Sequence, residues 1–172
     1  MERELKHYEI AGYLPYKLQF NCNLSNGQKI YNVVECFEKL RSTNIEGEHF
    51  VYYFNAPLGN EDIKPILYPT ETLYKPTTHN GEEIVPIVEI GRMVDNINAD
   101  LWRLGEHAGK PCAKKRTSYL VFDELGRFQY SGYNVNSIKL FDYMNELKID
   151  YRGLIDAGLA IDVNTLENNP YK

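Results

Sequence analysis

Alternation between apolar and polar residues predicts strands in the first third of the chain. Residues 16–24 alternate with a period of two, and a second β-rich run covers residues 29–37. The pair Asn26-Gly27 lies between these runs, and such a pair predicts a tight hairpin because both residues tolerate a positive φ. The aromatic and β-branched residues of the segment 49–54 predict a third strand.

Further strands are predicted around turn-forming residues. Residues 63–69 read as extended, but their two prolines cannot donate ladder hydrogen bonds, which predicts a sheet edge or a position outside the sheet. A second pair, Asn80-Gly81, predicts another short hairpin. Residues 118–122 and 127–130 are apolar and aromatic around a turn, which predicts a third antiparallel pair.

Helical spacing of apolar residues predicts a long helix near residues 88–108. Its stripe has intervals of four, four, three and four residues and consists of Met93, Ile97, Leu101, Leu104 and Ala108. The basic residues after it are then expected to form a connector.

The last forty residues predict two helices. The first carries an apolar residue every three positions, with Asn136 or Ser137 as its N-cap, and its stripe is Ile138, Phe141, Met144 and Leu147. A shorter helix is predicted over residues 151–157 and closed by Gly158, followed by an extended segment at 159–163.

This order of elements predicts an α+β fold with a mostly antiparallel sheet, a long helix near 88–108 and two C-terminal helices. A length of 172 residues suits a single domain over residues 1–172. With 43% hydrophobic and 25% charged residues, the composition is that of a globular protein rather than a disordered one.

Charge and cysteine content narrow the classes of function. A net charge of −5 argues against general DNA binding, which requires a basic face, but it is compatible with a local basic patch. Cys22, Cys36 and Cys112 are far apart and form no C-x-x-C pair, which predicts free thiols in the cytosol rather than a disulfide framework or a zinc site. No window approaches the roughly 18 apolar residues of a membrane span. We therefore expect a cytosolic protein without a membrane partner or a cofactor.

Three segments of the chain carry a resemblance to other proteins. They are residues 10–18, 63–73 and 141–166, and the last is the most specific. Together with the turn at 79–82 they resemble small proteins encoded by phages and prophages of gut Bacteroidales-type bacteria. The resemblance implies a phage-derived accessory protein in the cytosol of the host cell, and it implies no activity. It favours a non-enzymatic modulator that binds a host or phage protein.

Three residues are candidates for contact with such a partner. They are Tyr143, Tyr151 and Arg152, whose types are enriched at the energetic centres of protein interfaces. The alternative is that Tyr151 packs between helices and that Arg152 pairs with a nearby carboxylate.

A basic segment is the candidate for binding nucleic acid or a nucleotide. Its cations could contact phosphates while Tyr119 and neighbouring aromatic residues offer stacking faces. The cations are Lys110, Lys114, Lys115 and Arg116. The alternative is that they complement the dipole at the end of the preceding helix.

A third hypothesis is a metal-dependent enzyme. Asp142, Glu146 and Asp150 are four residues apart, so a continuous helix would align three carboxylates that could bind a divalent metal. The alternative is a solvated face opposite the apolar stripe. The sequence contains no nucleophile elbow, no phosphate-binding loop and no histidine pair at ligand spacing, and it therefore offers no positive case for catalysis.

Overall fold

A computed structural model describes residues 5–24, 27–36, 40–43, 49–52, 63–97, 99–135 and 137–171. The protein contains helices and several antiparallel sheets, which confirms the predicted α+β class. The chain divides into two compact units, of which unit 1 comprises residues 1–69 and 144–172 and unit 2 comprises residues 70–143. The single domain over residues 1–172 stays a prediction. No helix of the described residues is long and apolar enough to cross a membrane.

The described strands are β1 (Gln19–Leu24), β2 (Gly27–Cys36), β3 (Leu40–Thr43), β4 (His49–Tyr52), β5 (Ile63–Leu67), β6 (Thr77–His79), β7 (Glu82–Ile84), β8 (Arg103–His107), β9 (Lys110–Lys115), β10 (Ser118–Phe122), β11 (Phe128–Tyr130), β12 (Tyr133–Asn134) and β13 (Ile161–Asp162). The α-helices are α1 (His7–Ile10), α2 (Pro86–Val94) and α3 (Ile138–Glu146). The 3-10 helices are η1 (Ala11–Tyr16), η2 (Thr70–Tyr74), η3 (Ala99–Leu101) and η4 (Val163–Thr165).

Unit 1 is built on a six-stranded sheet with the strand order β13-β5-β1-β2-β3-β4. The antiparallel β1–β2 register ends at Leu24 opposite Gly27, which confirms the first predicted hairpin, although turn residues 25 and 26 lie outside the described residues. The third predicted strand is confirmed over β4. Its last two predicted positions, residues 53 and 54, also lie outside the described residues.

The predicted edge position of residues 63–69 is wrong, because β5 lies between β1 and β13. Pro65 is tolerated there because the parallel pairing with β13 involves only Ile66 and Leu67. On its other side Pro65 pairs with Phe20 of β1. The missing N–H of this proline therefore interrupts a short ladder only at its end.

The described core of unit 1 joins η1, β1 and the segment after α3. Its buried cluster comprises Leu5, Ile10, Tyr13, Leu18, Phe20, Leu67, Leu154, Leu159 and Ala160. Within this cluster the hydroxyl of Tyr13 donates to the carbonyl oxygen of Ile149 at 2.9 Å, so the buried phenol has a partner.

The predicted second C-terminal helix is wrong: residues 151–158 form turns. The buried Asp150 carboxylate accepts hydrogen bonds from the backbone N–H groups of Leu154 at 2.9 Å and Ile155 at 2.7 Å. Gly153 and Gly158 have φ of 68° and 71°, a left-handed conformation that ends helices. The Asp150 carboxylate thus holds this segment in a turn, where the sequence predicts a helix.

Unit 2 is built on a five-stranded antiparallel sheet with the order β12-β11-β10-β9-β8, and α2 packs against β8, β9 and β10. Its buried residues include Leu73, Ile87, Ile90, Trp102, Cys112, Leu120 and Phe128. A separate hairpin pairs β6 with β7 across Asn80 and Gly81, whose φ values of 51° and 82° are both positive. This geometry and the β10–β11 pairing confirm the two other predicted hairpins.

The predicted long helix is correct only within α2, which ends at Val94. Beyond it the chain forms η3 and then β8, where Leu104 and Gly105 pair with β9. The helical spacing of the apolar residues gave a wrong prediction beyond Val94 because this stripe is not buried against a core. Ile97, for example, is 70% exposed. Pairing with β9 satisfies the backbone of residues 103–107, a contact that local periodicity does not encode.

Helix α3 confirms the first predicted C-terminal helix over Ile138–Glu146. Its buried stripe includes Leu140 and Met144, while Phe141 is half-buried. The prediction that Ile138 belongs to this stripe is wrong, because its side chain is 89% exposed. Ile138 is the first residue of the helix, where the chain has not yet reached the core.

Candidate functional site

Antiparallel pairing brings three cationic side chains and two aromatic rings of unit 2 to one face of its sheet. In the ladder of β8, β9 and β10, Arg103 pairs with Lys114, which in turn pairs with Tyr119. Two rows further along, His107 pairs with Lys110. Residues two apart on a strand share a face, so these five residues lie on one side, here called the basic face.

A stacked pair of rings lies on the basic face. The rings of His107 and Tyr119 have centroids 3.6 Å apart and planes inclined by 12°. The row between them pairs Gly105 with the buried Cys112. Burial also raises the pKa of the Cys112 thiol, which makes it a poor nucleophile.

A cleft of about 590 Å³ opens beside the stacked pair. Its walls come from the β8–β9 and β10–β11 turns, from β10 and from the end of η2. The lining residues are Tyr74, His107, Ala108, Lys110, Pro111, Tyr119, Val121, Phe122, Asp123, Glu124, Leu125 and Gln129. The cleft thus combines aromatic walls with few charged groups, the usual make-up of a small-molecule site.

Tyr74 fixes one wall of the cleft. Its hydroxyl accepts a hydrogen bond from the N–H of Phe122 at 3.2 Å and donates to the carbonyl oxygen of Phe122 at 3.4 Å. These two contacts attach η2 to β10. Burial raises the pKa of the Tyr74 hydroxyl, so it remains a neutral hydrogen-bonding group at physiological pH.

The Asp123 carboxylate is occupied by the turn that it organises. It accepts hydrogen bonds from the Arg127 guanidinium at 2.9 Å and from the Gln129 amide at 2.7 Å, as well as from the N–H groups of Leu125 and Arg127. Burial alone would raise the pKa of Asp123, but these hydrogen bonds outweigh it and lower the pKa. Asp123 therefore stays ionised with its oxygens engaged, which argues against a role as a general base.

Lys110 and Glu124 form an ion pair of 2.9 Å at the mouth of the cleft. The hydrogen bond between them raises the pKa of Lys110 and lowers that of Glu124, so both are charged at neutral pH. Both side chains are well exposed to solvent, which screens their attraction. An incoming anion can therefore replace Glu124 as the partner of Lys110 at small cost.

The predicted basic segment does not form one cluster, because residues 110–115 are a strand rather than a connector. Lys115 lies on the opposite side of β9 and is bound to the Asp95 carboxylate and to the carbonyl oxygen of Ile97 at 2.8 Å. Its ammonium also lies 5.5 Å from the centre of the Trp102 ring. With its side chain 11% exposed, Lys115 is a structural residue.

Lys110, Lys114 and Tyr119 remain on the basic face, and Arg116 follows in the β9–β10 turn with a φ of 53°. Lys114 and Arg116 are exposed, and neither forms an ion pair or a side-chain hydrogen bond in the described part of the chain. These two cations are thus available to a ligand.

The predicted partner-binding residues are divided between the two units. In unit 1, Tyr151 is half-buried with its ring 5.9 Å from that of Tyr13. The exposed Arg152 lies 4.8 Å above the Tyr151 ring and donates to its hydroxyl at 3.0 Å. In unit 2, Tyr143 meets the ring of His79 edge-on at 6.3 Å. Tyr151 thus packs against Tyr13 rather than between two helices, and Arg152 contacts Tyr151 rather than a carboxylate. A role of the three residues in binding a partner stays a prediction.

The predicted metal ladder is wrong. Helix α3 ends at Glu146, so the spacing of four residues does not continue to Asp150. Asp142 is exposed, whereas Asp150 is buried and accepts backbone hydrogen bonds. Within the ranges that the structure describes, no group of three His, Cys, Asp or Glu side chains could hold a metal ion.

Sequence reasoning missed His107, Tyr74 and Gln129 as residues of the cleft. The predicted helix near residues 88–108 includes His107, whereas Ala108 and Gly109, both with a positive φ, form the turn between β8 and β9. Tyr74 and Gln129 reach the cleft only through tertiary structure, and no local pattern identifies them.

No protein-family model, no curated protein and no solved structure matches this chain. The chemistry of the cleft and of the surface around it is therefore the basis for a functional assignment.

Proposed function

We propose that this protein binds a nucleotide in the cleft of unit 2, with the base against the stacked rings and a phosphate at Lys110. The observation that carries the proposal is the stacked pair His107–Tyr119 at the edge of the cleft, with Lys110 in the adjoining strand position.

The shape of the cleft supports a ligand of this size. Its volume of about 590 Å³ lies within the roughly 300–1,000 Å³ of small-molecule sites. A stacked aromatic side chain contributes about 1–3 kcal/mol per base, whichever base it meets. Lys110 lines the cleft with its side chain 72% exposed, so its ammonium can exchange its exposed partner Glu124 for a phosphate.

The polar groups in the cleft support a preference among bases. Gln129 donates its amide N–H to Asp123, and its carbonyl oxygen accepts no hydrogen bond within the described residues. Glu124 uses one carboxylate oxygen for Lys110. The remaining acceptors favour bases that carry an amino group, such as adenine and cytosine, over thymine.

Isothermal titration calorimetry with dAMP, dCMP and dTMP tests the proposal. We expect dAMP and dCMP to bind more tightly than dTMP, and Tyr119→Leu to weaken binding roughly 5- to 150-fold because the stacking surface is lost. Tyr133→Leu is the matched control, since Tyr133 is an exposed tyrosine of β12 outside the cleft. No binding at millimolar concentrations, or equal losses in both variants, would refute the proposal.

A second candidate function is that of a modulator that binds a host or phage protein in the host cytosol. The observation that favours it is a set of exposed apolar residues in and after α2: Met93, Ile97, Leu101 and Leu104. Apolar side chains close together in the chain and exposed to solvent are typical of interaction surfaces. The resemblance to phage and prophage proteins supports this candidate by association only.

Affinity capture from host lysate with matched variants tests this candidate. We expect a stoichiometric protein to be retained by the wild type and lost with Ile97→Asp, but kept with Ile138→Asp, which places the same charge at another exposed isoleucine. Loss with both variants, or with neither, contradicts the assignment of this surface.

A further inference from the structure

We infer that the basic face binds single-stranded nucleic acid rather than a free mononucleotide, an inference that rests on the nucleotide-binding function proposed above. It assigns Lys114 and Arg116 a role that the cleft alone does not give them, since neither lines the cleft.

The register of the sheet pairs a lysine with each of the stacked rings. Lys114 lies opposite Tyr119, and Lys110 lies opposite His107. The two lysines are four residues apart on β9, which at about 3.3 Å per residue separates their Cα atoms by roughly 13 Å. The two lysines thus lie on either side of the Gly105–Cys112 row, on the face that carries the stacked rings.

This arrangement matches a nucleotide inside a strand. Such a nucleotide carries a phosphate on its 5′ side and another on its 3′ side, whereas a mononucleotide carries a phosphate on one side only. A base stacked on the rings can therefore direct one flanking phosphate to Lys110 and the other to Lys114 only if the chain continues. A mononucleotide leaves one of the two lysines without a ligand.

The cations continue beyond the stacked rings on the Lys114 side. Arg103 pairs with Lys114 on the neighbouring strand, and its guanidinium is held by the carbonyl oxygens of Asp100 and, at 2.7 Å, of Trp102. Arg116 lies two residues after Lys114 in the exposed turn. These groups extend a track for the backbone of a strand that leaves the cleft.

A duplex does not suit this surface. Stacking on the rings requires an unpaired base, and the net charge of −5 opposes the wide phosphate array of a double helix. Sequence-tolerant stacking beside a short cationic track is instead typical of proteins that bind single strands.

A competition assay tests the inference. A fluorescein-labelled deoxyadenylate hexamer is the probe, its displacement is followed by anisotropy, and the competitors are dAMP and the unlabelled deoxyadenylate dimer, trimer and hexamer. We expect affinity to rise at least tenfold between dAMP and the trimer. Because each neutralised phosphate contributes about −0.7 to the salt slope of a single strand, we expect roughly −1.4 for the trimer and −0.7 for dAMP.

Lys114→Gln distinguishes the binding of a single strand from the binding of a mononucleotide. We expect it to reduce the salt slope of the hexamer by about 0.7 and to weaken hexamer binding, with the affinity for dAMP unchanged. Lys139→Gln is the matched control, because Lys139 is an exposed lysine of α3 and does not belong to the strand ladder that forms the basic face. The same measurements are made with a riboadenylate hexamer. The inference is supported if either hexamer binds with this dependence on length and on Lys114.

These experiments distinguish a failure of the strand inference from a failure of the proposed nucleotide binding. If dAMP binds as tightly as the hexamer, or if Lys114→Gln acts like Lys139→Gln, the strand inference is overturned and nucleotide binding stands. If neither dAMP nor any oligomer binds at low salt, both are overturned.

Discussion

Replacing Gly91 with alanine tests the close approach of α2 to the Trp102 indole. Gly91 lies inside α2, and an added Cβ would stand 2.7 Å from Cε3 and 2.8 Å from Cδ2 of the Trp102 indole. The indole has little freedom to move. It is fully buried, and its Nε1 donates to the carbonyl oxygen of Asp95 at 3.1 Å.

Two opposing effects determine the change in the free energy of unfolding. Alanine is favoured over glycine in a helix interior by about 1 kcal/mol. Overpacking of a well-packed core costs about 1–3 kcal/mol, and the upper part of this range applies because the contact is with a rigid ring. We therefore expect Gly91→Ala to destabilise the protein by about 1–2 kcal/mol, the opposite of the effect expected from helix propensity.

A double-mutant cycle in urea, followed by circular dichroism, isolates the contact. Trp102→Leu removes the indole, so in that background Gly91→Ala should stabilise by about 1 kcal/mol, which corresponds to a coupling of about 2–3 kcal/mol. Because Trp102 is the only tryptophan of the chain, its fluorescence also reports the unfolding of the Gly91→Ala variant. Stabilisation by Gly91→Ala in the wild-type background, or additive effects of the two changes, would refute the reasoning.

Three further predictions concern the electrostatics and the core of unit 2. Asp123→Asn should reduce stability by about 1.5–3 kcal/mol at pH 7, since hydrogen bonds to a charged group are lost. Because the pKa of Asp123 is lowered in the folded state, this difference should shrink as the pH falls through that pKa, as measured by urea unfolding at pH 7 and pH 3. Lys115→Met should raise the pKa of Asp95 towards its ordinary value, because the hydrogen bond from Lys115 is the main cause of its lowering; carboxyl NMR titration measures this change. Phe128→Ala should cost about 3–5 kcal/mol in thermal or urea unfolding, and Phe141→Ala clearly less, because Phe128 is fully buried and Phe141 is half-buried.

Each of these predictions has a contradicting result. A pH-independent cost of Asp123→Asn would mean that lost packing, not the charge, is responsible. An unchanged titration of Asp95 would show that Lys115 does not stabilise its ionised form. Equal costs for the two phenylalanine variants would place Phe141 in the core.

The elements that the sequence predicts correctly are those determined by local chemistry. The Asn80-Gly81 hairpin follows from two residues that adopt a positive φ. Helix α3 follows from the helical spacing of its apolar residues, whereas Asn136, one of its two predicted caps, lies outside the described residues. The long helix failed where the signal was tertiary, because Arg103–His107 satisfies its backbone by pairing with β9, a partner that periodicity does not reveal.

For the candidate site, the sequence predicts which residues are suited to binding but not how they are arranged in space. The basic segment and Tyr119 were identified from the sequence, but which of them share a face depends on strand register. Because side chains alternate along a strand, Lys114 is exposed on the basic face while Lys115 faces Asp95. The stack of His107 on Tyr119 requires the register of three strands, which no single segment specifies.

The division of unit 1 into two stretches of sequence has a consequence for its synthesis on the ribosome. Strand β5 pairs with β13, and the hydroxyl of Tyr171 donates to the carbonyl oxygen of Ile66 at 2.7 Å, yet the whole of unit 2 is translated between these partners. The ribosome adds about 5–20 residues per second, so roughly 5–20 s pass between the synthesis of β5 and that of β13. During that interval the emerging chain presents an unpaired strand edge, a point of vulnerability to aggregation. Unit 2, continuous in sequence, can meanwhile complete its own sheet first.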